Sequence, residues 1–471
     1  MSPFLWTSKQ ARLEDPSTVG LGQLALPLLL ESVLRCTVGV VNVAFLSHIS
    51  DGFVSAVSVA NQYIMICQTL AMAVATGTMV CINQAIGMQN RAKVDRLASV
   101  AFFSNLILGM LFGAVFFFFP AALLSVMKLE AASIALAGRY MRISGGLMAI
   151  QCMEIVLSNL CRSIGHTKAP LCINLTINAI NLLCCYAVVF EPLPLTIDPV
   201  MGVAAASVLG RLGGLLLAAW IVLRSGVHLS LRTLRPFPKE EILLSLSIGV
   251  PGGMNNLAYS LSQLATTSVI SLAGEMMVTA KIYVTQLVQY VALVGMAFAN
   301  ASTLMIGYRV GAGKYDEART IRRMVTRIAL FSNACCSALF ILLHRPLLGM
   351  FTQNEEILYV GSIVIAIDFA VEIGRALNNT LAGSLQATGD VKFQLAVNQA
   401  SGWLIAVGGS YLLGIVLGWG LYGVWICFAL DELTRGLILL HRWRSNSWVI
   451  DADRRRDMIA GVSRIRSRSS A

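Results

Sequence analysis

The sequence predicts an all-α membrane protein, with twelve transmembrane helices in two pseudo-twofold-related six-helix bundles around a central cavity. Three observations carry that reading. The 471 residues are 56% hydrophobic and only 13% charged, with a mean hydropathy of +0.73, whereas soluble domains carry roughly 25% charged residues. Apolar stretches of about 20 residues, enough for a helix to cross about 30 Å of hydrocarbon, recur along nearly the whole chain. The two halves also repeat one another. The short alternating segments of a membrane β-barrel are absent from the sequence.

Twelve spans are read near residues 21–47, 53–84, 98–120, 131–161, 169–191, 200–223, 242–272, 277–308, 325–348, 357–386, 393–417 and 420–441. The longer ones must tilt or extend beyond the lipid. The opening MSPFLWTSKQARLEDPS is polar and the apolar run after it is of full span length, so no cleavable signal peptide is expected. The net charge of +11 sits mainly in the termini and even-numbered loops, with Arg91, Lys93 and Arg96 in one, Arg162 and Lys168 in another, and Arg309 to Arg327 in a third. Odd-numbered loops hold only Lys128 and Arg345. The positive-inside rule then places both termini in the cytoplasm. The tail RRRDMIAGVSRIRSRSSA reads as a disordered basic end near anionic lipid rather than a nucleic-acid-binding arm.

The repeat has a fixed offset. Pro27 and Pro251, Gly87 and Gly311, and Gly165 and Gly389 are each separated by 224 residues, and Gly202 and Gly423 by 221. Six spans per copy is an even number, so both copies enter the membrane in the same direction, as parallel repeats do. The expected organisation is a cytoplasmic segment 1–20, an N-lobe 21–223, a cytoplasmic linker 224–241, a C-lobe 242–441 and a basic cytoplasmic tail 442–471. Pro27 and Pro251 fall near the start of each half, where a missing N–H is tolerated, or act as kinks. The pairs Gly145-Gly146, Gly213-Gly214, Gly252-Gly253 and Gly408-Gly409 are expected to permit close helix contact.

Charged residues inside the spans are the candidates for function. A helix turns about 100° per residue, which puts Arg35 and Asn42 within about 40° of Glu31 on the first span. On the tenth span Glu372, Arg375 and Asn379 lie within about 40° of Asp368, with Asn378 adjacent. A charge facing lipid costs several kcal/mol, so these stripes must face protein or a wet cleft. Asp431 and Arg435 are again four apart on the twelfth span, and Glu154 is the repeat-equivalent of Asn378. Two readings stay open: fixed ion pairs that orient helices, or carboxylates (Glu31, Asp368, Glu372) that exchange a proton while Arg35 and Arg375 modulate them. Asn174, Asn178 and Asn181 form a polar ridge that either bonds between helices or lines a cavity. Lys281 and Arg211 either line the cleft or reach an interface.

These landmarks resemble the multidrug and toxic compound extrusion (MATE) family over about residues 20–445. The carrying stretches are ALPLLLE, VVNVAFLSHISDGFVSAVSVANQ, NQAIGMQNRAK, GYRVGAGKYDEA, RSIGHTKAP, QATGDVK and MGVAAAS, in order and spacing. VEIGRALNN and LGWGLYGVWICFALDELTRG are similar to a bacterial branch with Glu-x-Gly-Arg in its tenth span. The resemblance implies two six-helix lobes, a central cavity, and export driven by sodium or protons. Better-known branches carry an Asp where this chain has Asn42, and N-x-x-x-D where it has Asn181 and Cys185; Ser207 replaces a cation-binding Thr. Acids of other branches match Tyr259 and Arg375. The family sodium site in the first lobe is therefore not reproduced, and protons are the expected coupling ion, with Na+ the alternative.

Competing classes lack their residues. No D-x-x-x-D or H-x-x-x-H lies in a span for a metal-dependent membrane enzyme, and no P-loop serves an ATP-driven pump. The eleven cysteines have no C-x-x-C spacing and read as small buried side chains, and the histidines sit singly, so neither metal nor cofactor is expected. A flippase for a lipid-linked precursor is the nearest alternative. The expectation is a monomeric antiporter of the inner cell membrane, exporting small organic molecules by alternating access. Drug-like cations are the family default, with flavin-like or other anionic metabolites the alternative.

Overall fold

The computed structural model describes residues 21–22, 24–34, 51–125, 131–189 and 199–460, and every regular element among them is helical. Two compact units divide the described chain. The first runs from Leu30 to Val250; the second comprises the residues up to Leu29 and those from Pro251 onward. A short apolar helix, α1 (Leu24–Leu34), passes from the second unit into the first at Leu29.

The first unit continues through α2 (Asp51–Gly87), α3 (Arg91–Phe118), α4 (Pro120–Ser125), α5 (Ala131–Tyr140), α6 (Met148–Ser163), α7 (Ala169–Val189) and α8 (Pro199–Arg224). It ends in the opening turns of α9 (Lys239–Ser271). The second unit holds the rest of α9, then α10 (Glu275–Gly311), α11 (Tyr315–Leu342), α12 (His344–Gly349), α13 (Glu355–Thr388), α14 (Val391–Ser401), α15 (Gly420–Arg444) and α16 (Ser447–Ala460). Among the described residues, 8 helices are long and apolar enough to cross a membrane, and a bent pair supplies a ninth. Helices α9 and α15 carry polar and charged residues that dilute their hydropathy, and α1 is apolar but short over its described residues; with these three, a described helix falls in each of the twelve spans. Phe118, Leu183, Leu216 and Leu342 project outward at 62–78% exposure, an apolar surface suited to acyl chains rather than water.

Two spans differ from the continuous helices read in the sequence. The fourth is broken: a π-helical turn at Met141–Gly145 separates α5 from α6, and the parts bend by 45°. The eleventh runs from α14 into π-helical segments Gly402–Gly409 and Tyr411–Val416. Glycines at 145, 146, 402, 408, 409 and 414 remove the side chains that would stiffen an α-helical ladder there, and π-insertions are single-turn departures of this kind. Pro251 lies inside α9 rather than at its start.

Glycines set the closest helix approaches. A Cβ on Gly113 of α3 would lie 2.5 Å from the Gly146 carbonyl oxygen, and one on Gly214 of α8 would lie 2.4 Å from Ile177 of α7. Gly252 makes no such contact; its nearest neighbour is Gln386 at 3.8 Å.

The linker does not hang free. Arg91 donates to the Gly226 carbonyl at 2.7 Å, His228 N–H donates to Asp95 at 3.0 Å, Ser230 N–H donates to Ser99 at 3.1 Å, and Arg96 donates to the Pro236 carbonyl at 3.2 Å. Lys93 and Arg96 then pair with Glu241 at 2.8 and 2.9 Å. The whole segment is strapped along the start of α3. Burial alone would raise the Glu241 carboxyl, but its hydrogen bonds to Lys93 and the backbone, with the charges of Lys93 and Arg96, outweigh this and hold it below its ordinary value.

The stretch from Arg454 onward was expected to be a disordered end, but its described residues, up to Ala460, are helical and belong to α16. Trp448 of α16 is fully buried, stacked on Trp443 with centroids 4.4 Å apart, and its indole N–H donates to the Trp443 carbonyl at 3.0 Å. A large aromatic among the charges of SWVIDADRRRDMIA supplies the burial that composition alone concealed.

Two outcomes follow for stability in detergent. Gly113→Ala must separate α3 from the Gly146 backbone and lowers the thermal unfolding midpoint, by the equivalent of about 1–3 kcal/mol. The Glu241 pairing contributes above the ordinary carboxylate pKa and is lost as pH falls through its depressed folded value; Glu241→Gln therefore destabilises at neutral pH and makes little difference in strong acid, as thermal melts against pH would show.

Candidate functional site

Each unit contains its own polar cavity. In the first it measures about 420 Å³ and is lined by Glu31, Glu154, Asn174, Asn178, Asn181, Ser207 and Arg211, together with Gln68, Gln151, Asn159 and Arg162. Glu31 is 4% exposed and Glu154 7%. The guanidinium of Arg162, in the last turn of α6, pairs with Glu31 at 2.9 Å and also donates to Asn159 at 3.2 Å. Asn174 donates to the other Glu31 oxygen at 3.3 Å, and Asn181 donates to Ser207 at 3.4 Å. The asparagine ridge of α7 therefore does both things: it lines the cavity and bonds across helices. Arg35 and Asn42 lie outside the described residues. Arg162 was counted with the loop charges, yet it is helical and turned inward.

In the second unit a cavity of about 380 Å³ is lined by Asp368, Arg375, Asn378 and Asn379 of α13, Tyr259 of α9, and Trp425, Asp431, Glu432 and Arg435 of α15. Glu372 lies behind it, with no exposed surface. The charges form one connected set. Arg375 pairs with Glu372 and stands 3.6 Å from Glu432; Arg435 pairs with Asp431 and stands 3.2 Å from Glu432. Neutral donors complete it: Asn378 to Glu432 at 2.8 Å, Asn333 to Glu372 at 3.2 Å, Ser401 to Asp431 at 2.5 Å, and the Trp425 indole N–H to Asp368 at 3.0 Å.

Gly374 makes this set possible. A Cβ there would lie 2.9 Å from the Glu432 Cβ and from the Leu433 amide nitrogen, so α13 and α15 approach closely enough for Arg375 to meet a carboxylate of the neighbouring helix. Glu432, Trp425 and Asn333 were not identified from the sequence. The signal for Glu432 was present in LDELTR, where an acid stands three residues before Arg435 inside an apolar helix. Asp431 and Arg435, four apart on the twelfth span, line the cavity. Lys281 is not among the lining residues; its ammonium is buried and donates to the Thr267 hydroxyl at 2.5 Å. Among the described residues no group of three His, Cys, Asp or Glu side chains could hold a metal ion.

Similarity searches agree with this geometry. The MatE family model matches residues 27–187 and again 251–412, once in each half and in the register of the 224-residue repeat. The chain belongs to the MatE family. MatE proteins are transporters, not enzymes, and the chain's likeness to them is end to end. A Bacillus subtilis MatE relative, described as the uncharacterized transporter YisQ, is 32% identical over 444 residues, 94% of this chain and 98% of its own. The probable multidrug resistance protein NorM of Thermotoga maritima is 24% identical over 427 residues, 90% of this chain and 92% of its own. Among solved structures, a MATE protein in complex with MaD3S superposes with a TM-score of 0.84 at 19% identity, covering 94% of this chain and 98% of the other. A MOP superfamily transporter from Pyrococcus furiosus gives 0.82 at 18%, with the same coverage. At these identities the structures establish the MatE fold alone.

The α13–α15 network is checked by a double-mutant cycle. Removing one member of a buried pair leaves an unmatched charge and costs about 3–5 kcal/mol. Arg435→Gln, which strips a cation from a set already rich in carboxylates, is expected to lower stability in detergent strongly, Glu432→Gln to lower it less, and the double variant to recover part of the Arg435→Gln loss.

Proposed function

We propose that the chain is a proton-coupled antiporter that exports small organic molecules across the cytoplasmic membrane, with the cavity of the second unit as the coupling site. One observation carries the reading: Asp368, Glu372, Asp431 and Glu432 are at most 5% exposed, against two guanidiniums, Arg375 and Arg435. Fully ionised, the set holds two negative charges in excess. Uncompensated buried charge is costly, and bound protons are the simplest neutralising partners. In the first unit, by contrast, Glu31 and Glu154 share their cavity with Arg162 and Arg211, an even match among the described residues.

Carboxyls that are paired with an arginine in one conformation and not in another can hold different numbers of protons in the two, and that difference ties proton flow to motion. Asp368 and Glu372 are the proton carriers on this reading, with Arg375 as their modulator; Glu31 with Arg162 is the corresponding pair in the first lobe. The two cavities, with Tyr259, Asn378 and Asn379 in one and Asn174, Asn178 and Asn181 in the other, receive substrate as the lobes alternate between faces. Sodium is disfavoured because Cys185, at the position of a family carboxylate, packs in an apolar cluster, while hard cations take oxygen ligands. The loop charges orient both termini to the cytoplasm. The relative named as a multidrug resistance protein supports xenobiotic-like cargo.

Uptake into proteoliposomes with an imposed pH or sodium gradient, using a panel of cationic, neutral and anionic compounds, tests the proposal. A pH gradient should drive transport, and Asp368→Asn and Glu372→Gln should each reduce it at least tenfold. Transport driven by sodium alone, or unchanged in both variants, would overturn it.

A further inference from the structure

Four arginines of the second unit gather at one place: Arg322, Arg323 and Arg327 on the opening turns of α11, and Arg444 at the end of α15. The charges acting on Arg322 are those of Arg323, Arg444 and Arg327, all of its own sign, and its buried Nε has no hydrogen-bond partner. Neighbouring basic residues are matched. Arg309 and Lys314 pair with Glu317, Arg319 with Asp316, and Arg442 with Asp390 and Asp451. Among the described residues no carboxylate pairs with the four.

The internal repeat shows that the fold does not need them. The positions 224 residues before Arg322, Arg323 and Arg327 are Ala98, Ser99 and Phe103, and the position 221 before Arg444 is Leu223. The first unit builds the same helices without the cluster.

Its surroundings select the ligand. From Arg323, the side chains of Arg327, Phe331, Met324 and Ile328 follow around α11 within about 140°. Phe331 is 73% exposed, Met324 40% and Ile328 38%, an apolar stripe that begins where the guanidiniums end. Guanidinium groups bind phosphate oxygens in a bidentate fork, and the depth is that of a helix entering hydrocarbon. We infer that Arg322, Arg323, Arg327 and Arg444 form a binding site for the phosphate headgroup of an anionic phospholipid whose acyl chain lies along Met324, Ile328 and Phe331. An acidic protein or nucleic acid would leave that stripe without an apolar partner.

Native mass spectrometry of the purified, delipidated full chain, titrated with phosphatidylglycerol or with phosphatidylcholine, tests this. Wild-type protein should retain one phosphatidylglycerol in preference to phosphatidylcholine. The exposed-site variant Arg323→Gln/Arg327→Gln, which disturbs no core contact, should weaken that adduct roughly tenfold or more, since each basic residue near a membrane contributes about a fivefold effect. A charge-matched control, Arg232→Gln/Arg454→Gln, should leave it unchanged. Equal weakening by the control would overturn the site in favour of general electrostatics. An unaltered adduct in the Arg323/Arg327 variant would overturn it outright. Displacement of the lipid by millimolar inorganic phosphate would reassign the site to a soluble anion, against the proposal.

Discussion

Hydrocarbon offers an ionised side chain no partner, so each charge within these helices has to be answered by another part of the protein. That constraint is met in the second unit by one connected set of charges. Arg375 meets Glu372 on its own helix and Glu432 on the next, and Arg435 meets Glu432 and Asp431. Asparagine, serine and tryptophan donors take the remaining lone pairs. The helices α13 and α15 are spaced by this network as much as by van der Waals contact, and the absent side chain of Gly374 is the geometric condition for it.

The two halves share an architecture without sharing chemistry. Both place asparagines on a cavity wall and both carry an acid paired with an arginine. Yet the first half joins Glu31 to Arg162 across elements remote in sequence, while the second concentrates acids on two adjoining helices. A duplicated scaffold lets one copy keep a balanced polar cavity while the other accumulates carboxylates, because close glycine approaches set helix contacts in both and leave the cavity walls free to differ.

Much of this was legible in the sequence where the signal is periodic. Rotation by about 100° per residue put Asp368, Glu372 and Arg375 on one stripe, and the structure brings Glu372 and Arg375 together as that spacing implies. Asp431 and Arg435 pair for the same reason. What escaped was non-local. Nothing near Glu31 in the sequence points to Arg162, which ends an apolar run and so resembles a loop charge. Trp425 reads as one more lipid-facing aromatic until its indole is seen to meet Asp368. The π-helical turns were invisible because they change the hydrogen-bond ladder without changing composition, and α16 was hidden because a single buried tryptophan anchors an otherwise charged segment.

The strap from Gly226 to Glu241 fixes the course of the linker within the first unit. It is stapled along α3 by Arg91, Asp95, Ser99 and Arg96, and Glu241 closes it on Lys93 and Arg96. A loop of that many residues would ordinarily hold slack; here its contour is already spent on anchor points, so a flexible insertion ahead of Pro236 would bulge between two of them without shifting either.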